Sequence, residues 1–375
     1  MLLMGGIRST LTADWVHERK IRIICRCLFA YHAFVFALQL SEALTEKKDA
    51  ALVILELMKV AFISVACLKV VSIAFLKKPI ATLRQFIYSS SIHSGDEPFD
   101  ELEQRKFNRT IRRVIQVIFG LMTVDTFIMS IPNFSTNGML ELPHALTLAG
   151  ECTSSILSVL LANLLAISVV PKYFSCTASV GTTLLGLRTK LRILSRRFKL
   201  ISQQHFSCGE RCFEHVNKEI LEAVDQHVEC WRHMQILKQL VGKTFFLVHY
   251  FSIFAVGALI YVCREMGMNS VTFVIVAGTF SFLLEYFLLC HLVELLQDEA
   301  DSIGHHIFEI CAQIPFNAKF RSEYVQLRTT LMIVWINTRN GVSVNCVGLF
   351  DITTSAFVAL IDVAYSVLMF LIKLS

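Results

Sequence analysis

Asp351, Ser355, Asp362 and Ser366 interrupt an otherwise apolar run at 342–372, VSVNCVGLFDITTSAFVALIDVAYSVLMFLI. Wound as one helix at about 100° per residue, these four fall within a sector of roughly 60°. A carboxylate inside a bilayer is costly and faces protein or water. Two roles fit such a stripe: the wall of an ion pathway, or a polar face packed against neighbouring helices. Other chemistry is sparse. There is no H-E-x-x-H, no phosphate-cradling glycine loop and no nucleophile motif, so no enzyme is expected. Cys208-x3-Cys212 with His205 and His215 nearby has zinc-ligand residue types. It lacks the compact paired spacing of a zinc finger, and neither a metal nor another cofactor is expected.

The elements that must carry the stripe are membrane helices. Of 375 residues, 54% are hydrophobic and only 17% charged, with a mean hydropathy of +0.58. Soluble domains carry nearer a quarter charged residues. Apolar runs at about 22–41, 50–76, 111–131, 149–176, 242–263, 269–296 and 342–372 predict seven spans in a single all-α membrane domain over 1–375. The stretch 77–110 reads as a polar connection, with Ser89-Ser90-Ser91 and Gly95-Asp96-Glu97-Pro98 as loop signals. Segments 177–241 and 297–341 keep helical periodicity while turning polar, so the helices are expected to leave the membrane and pack together beyond it. Lys59 and Lys69 sit inside the second run; either they meet interior partners or they snorkel toward the ends. The start has no signal-peptide pattern, so the first span reads as an uncleaved anchor.

Lys and Arg alternate between connections. The segments before the first span and after the second, fourth and sixth are basic, whereas 132–148 contains none. That alternation places the N-terminus in the cytoplasm and the C-terminus outside, opposite to a G-protein-coupled receptor. The net charge of +5 follows this sidedness and does not point to nucleic acid. Cys25, Cys27, Cys67, Cys290 and Cys346, among twelve cysteines, lie in apolar runs and read as small hydrophobes. Asn133-Phe-Ser135 is a glycosylation sequon on the outer side, close to the membrane. The outer halves of the third, fourth and sixth spans offer Phe127, Ile131, Ser155, Val159, Phe273 and Phe280. As a set they suit a small lipophilic ligand; taken singly, each also suits ordinary helix packing.

The chain resembles the insect odorant receptors. Gly348-x-Phe350, followed by an apolar helix ending Ala364-Tyr365-Ser366, resembles the family's closing signature of Gly-x-Phe, a Phe-containing helix and Ser-Tyr-Ser. Cys290, Glu294 and the helix over 297–302 are similar to its sixth-span exit, and Glu219, His227 and the run to Leu240 to the helix entering its fifth span. The gustatory receptors end in Thr-Tyr-x5-Gln-Phe, which would fall on Ala364, Tyr365, Leu371 and Ile372; only the Tyr matches. The resemblance implies the odorant-binding subunit of a tetrameric nonselective cation channel, assembled with a shared co-receptor in the plasma membrane of an olfactory neuron dendrite. A gustatory-type homotetramer is the alternative. Volatile odorant, co-receptor and membrane lipid would be its partners. The resemblance also implies a pore lined by the last helix, with Tyr365 beside it, Leu368 at a hydrophobic gate and Leu371 one turn outward. The polar stripe lies about 100° or more from Leu368 and Leu371, so a straight helix cannot turn both to one axis. With Leu368 at the axis, Asp351 and Asp362 serve a wider vestibule or touch neighbouring helices.

Overall fold

A computed structural model describes residues 18–46, 48–129, 140–148, 150–203, 210–314, 316, 318–341 and 343–374. Ile131, Asn133, His205 and Cys208 lie outside the described residues. The chain order is α1 (Glu18–Thr45), α2 (Ala50–Phe75), α3 (Lys77–Tyr88), α4 (Glu97–Met129), a short α5 (His144–Thr147), α6 (Glu151–Ser202), α7 (Glu210–Met266), α8 (Ser270–Gln313), a 3-10 turn (Ala318–Phe320), α9 (Arg321–Gly341) and α10 (Thr354–Leu374). Among the described residues, six helices are long and apolar enough to cross a membrane: α1, α2, α6, α7, α8 and α10. The expected third span falls on the second half of α4.

The long helices explain the architecture. α6, α7 and α8 have 52, 57 and 44 residues. At 1.5 Å per residue they run roughly 65–85 Å, against a hydrocarbon layer of about 30 Å. Beyond the apolar spans they pack with α3 and α9 around a continuous core that includes Leu187, Leu194 and Phe198 of α6, Ile220 and Leu237 of α7, Leu296 and Ile303 of α8, and Leu331 of α9. Two smaller cores lie among the spans. One gathers Leu55, Tyr173, Phe251, Val262 and Phe282, with Phe62, Leu368 and Leu371 packed against it. The other joins Val35, Phe36, Ile63, Leu161 and Val169.

The connection at 77–110 differs from its polar reading, because most of it is helical. α3 buries Leu83, Phe86 and Ile87 and exposes Lys77 and Lys78, a pattern too narrow to register as an apolar run. The first turn of α4 contains Pro98, whose missing N–H is no loss there, and Asp96 accepts from the Phe99 N–H at 3.3 Å.

The last run also needs correction. It is not one helix over 342–372, since α10 begins only at Thr354. Asn345 and Asp351 form an isolated antiparallel bridge, and Val347 and Gly348 take positive φ between them. The Asn345 side chain accepts from the Gly348 N–H at 3.1 Å. Glu294 of α8 then starts the helix by accepting from the Thr354 N–H at 2.6 Å and from its hydroxyl at 2.7 Å. A carboxylate at a helix N-terminus satisfies an orphan donor and complements the helix dipole. Asp351 therefore precedes the helix, and the helical stripe reduces to Ser355, Asp362 and Ser366.

Candidate ligand cavity and final helix

A cavity of about 1210 Å³ opens among α2, α6 and α8, with walls from α1, α3, α4 and α7. Its lining is mostly apolar. Phe62, Phe251 and Phe282 border it and, with buried Tyr173 behind them, form one aromatic group. Ring centroids lie 4.6 Å apart for Phe62 and Tyr173, 5.3 Å for Phe251 and Phe282 and 5.6 Å for Tyr173 and Phe282. Such tilted and edge-on contacts suit aromatic quadrupoles. They also make the wall a packed unit drawn from four helices.

Four charged residues break the apolar lining: Arg84 and Arg113 toward α3 and α4, and Lys59 and Glu285 among the spans. Lys59 bonds Glu56 at 2.6 Å and Gln39 Oε1 at 2.9 Å, with its ammonium 5.1 Å from the Phe36 ring centroid. Glu285 of α8 binds Lys69 of α2 at 2.7 Å, and both side chains are buried. The Lys69 ammonium also sits 3.5 Å from the centre of the Tyr173 ring, and the Thr177 hydroxyl donates to Glu285 Oε1. Both lysines of the second run thus meet interior partners. A charge in this setting is tolerable only when paired. Glu285 Oε2 and the Tyr173 hydroxyl are buried without a hydrogen-bond partner among the described residues.

Of the six residues chosen from sequence as ligand contacts, Phe273 lines the cavity. Phe280 and Val159 are 64% and 54% exposed, and Ser155 is exposed as well. On α8 the lining takes Phe273, itself 63% exposed, with Ala277, Ser281, Glu285 and Leu288, spaced by three or four, and not Phe280. Phe127 belongs to α4, but its side chain is outside the described set, as is Ile131. Sequence reasoning passed over Phe62, Tyr173, Phe251, Phe282 and Glu285. Glu285 left a signal, as a lone carboxylate in the apolar run SFLLEYF.

On α10, Leu360 and Ala364 are buried, and Leu368 and Leu371, half-buried, pack against the span core that contains Tyr173, Phe251 and Phe282. Gly257 of α7 lets α10 come close: a Cβ there would lie 2.7 Å from the Ala364 carbonyl oxygen and 2.8 Å from Val367 Cβ. Small residues permit this approach between membrane helices. The opposite side of α10 carries Asp362 and Tyr365, both exposed, with Tyr365 at 60%. Among the described residues, no group of three or more His, Cys, Asp or Glu could hold a metal ion.

This arrangement defines an all-helical, polytopic membrane protein with an apolar internal cavity and a helical bundle extending from its spans. Residues 42–365 match the family described as 7tm Odorant receptor, and the chain belongs to that family. It is similar to the insect olfactory receptor OR5 from Machilis hrabei, with a TM-score of 0.76 and 13% identity, covering 100% of this chain and 96% of that one. The structure of the same receptor in complex with eugenol gives a TM-score of 0.75 at 13% identity over the same shares. At this identity the likeness concerns the fold. Among curated proteins, none matches the sequence.

Proposed function

We propose that this chain is the odorant-binding subunit of an odorant-gated, nonselective cation channel, working with a shared co-receptor in olfactory neurons. The observation that carries the reading is the shared aromatic group: Phe62, Phe251 and Phe282 border the cavity and also belong to the packing that seats Leu368 and Leu371 of α10. A small lipophilic molecule in the cavity, of the kind the eugenol complex of the OR5 receptor holds, would press on the rings that support α10. A ligand favours whichever state it binds more tightly, by the difference in affinity. In the assembled channel, α10 of each subunit borders a central pore that closes by dewetting at an apolar ring. The N-terminus and the bundle of α6–α9 lie in the cytoplasm, and the C-terminus lies outside.

Whole-cell current in cells expressing the chain, with and without the co-receptor, tests this against a volatile panel. Odorant-evoked cation current only with the co-receptor supports it. Current from the chain alone makes it a self-sufficient, gustatory-type channel, and no current despite surface expression removes the channel reading. The pore face is mapped by thiol modification of Asp362→Cys, Tyr365→Cys, Leu368→Cys and Leu371→Cys. Block at 368 and 371 supports the gate position, whereas block only at 362 and 365 moves the axis to the polar side of α10.

A further inference from the structure

The cavity does not end at the aromatic group. Along α6 its lining runs from Leu165 to Leu185, a rise of roughly 30 Å. That is longer than a small volatile molecule and long enough to hold an extended acyl chain. Toward Leu185 the walls become α3 and α4, which both pack on α6. α3 contributes Ile80, Arg84 and Ile87, and α4 contributes Thr110, Arg113 and Val114. At the base, the rings of Tyr88 and Phe107 stand 6.3 Å apart.

Charge distinguishes this end. Arg84 is half-buried and Arg113 exposed, and neither has an acidic partner among the described residues. On the same helix as Arg113, Arg105 and Lys106 are paired with Glu101 and Glu103. Lys77, Lys78, Arg109 and Arg112, near the same end, are exposed and reinforce the positive field. An apolar channel long enough for an acyl chain with two cations at its mouth, at the point where spans leave the membrane, matches a molecule with a long tail and a negative head. A guanidinium is suited to bidentate contact with phosphate, and basic pockets between membrane helices hold anionic lipid headgroups.

We propose that the α3–α4 end of the cavity binds an anionic phospholipid, its phosphate held by Arg84 and Arg113 and one acyl chain laid along α6. The site shares its cavity with the odorant reading, but its test needs no odorant. The purified full-length chain is incubated with phosphatidylserine carrying a photoreactive acyl chain, or with phosphatidylcholine carrying the same chain, and the crosslinked peptides are mapped by mass spectrometry. The serine-headed probe is expected to label 80–88 and 107–117 about five-fold or more above the choline-headed probe. The double variant Arg84→Gln/Arg113→Gln should fall to the choline level, and Arg84→Lys/Arg113→Lys should keep most of the preference. Equal labelling by the two probes on the unaltered chain overturns the proposal whether or not the variants fold. So does undiminished serine-probe labelling in a double Gln variant whose gel-filtration profile matches the parent.

Discussion

Lys69 and Glu285 lie 216 positions apart in the chain, yet each makes the other's burial tolerable. Removing one partner strands a charge at a site where neither side chain meets solvent. Lys69→Met alone, or Glu285→Leu alone, should therefore cost about 3–5 kcal/mol, and the double variant much less than the sum. Thermal unfolding in detergent measures this cycle; additive losses would mean the pair is not coupled. His227, ahead of the apolar run at 242–263, gives a pH test. Its Nε2 is 3.0 Å from the Thr338 hydroxyl, and burial pushes the imidazole from 6.5 down to about 4. The unfolded chain takes up the proton first, so this contribution is complete above pH 6.5 and is lost as pH falls toward 4, about 3 kcal/mol in all. The melting temperature should drop between pH 7 and 5, and His227→Gln should flatten that drop. The sequence displayed Lys69 as a charge in an apolar run. It concealed the partner, because register between distant helices is set by packing rather than by local pattern.

At the scale of the element, α10 is placed by a glycine and a carboxylate that belong to other helices. Gly257→Val should cost roughly 1–3 kcal/mol through overpacking and reduce evoked current, because the first contact is with the backbone of α10. Gly304→Ala is the control: its added carbon would meet neighbours at an ordinary 3.8 Å and gain helix propensity. Equal effects at the two sites would remove the close approach as the cause. The apolar runs were legible because hydropathy is averaged over many residues. The start of α10 was not, since Val344, Cys346 and Ile352 are buried apolar residues of a turn and read like those of a helix. α3 was hidden for the converse reason: its buried stripe of Leu83, Phe86 and Ile87 lies within a polar stretch.

For the whole molecule, composition and the apolar runs were sufficient to indicate a polytopic helical protein, and α6, α7 and α8 are longer than those runs. The cavity wall was less legible. Phe273 was recognised, but Phe62, Phe251 and Phe282 come from three separate helices and form a group only once those helices are packed. If that group links cavity to α10, Phe282→Ala should raise the half-maximal odorant concentration about ten-fold or more, the cost of roughly 1.4 kcal/mol of lost contact. Phe280→Ala, on the exposed side, should leave it unchanged. Dose–response curves at matched surface expression decide between them.

The 57 residues of α7 make a rod of about 85 Å, held from Val216 to Ile253 by the core it shares with α6, α8 and α9 and from Phe251 to Val262 by the core among the spans. Tilting such a rod by about 5° would displace one end by roughly 7 Å relative to the other and shear cores packed at near-crystalline density. α10 has 21 residues, and its Leu360 belongs to the first of these cores, with Phe357 and Val367 packed against it. The shortest spanning helix is thus carried along one face by the longest ones, which act as its frame.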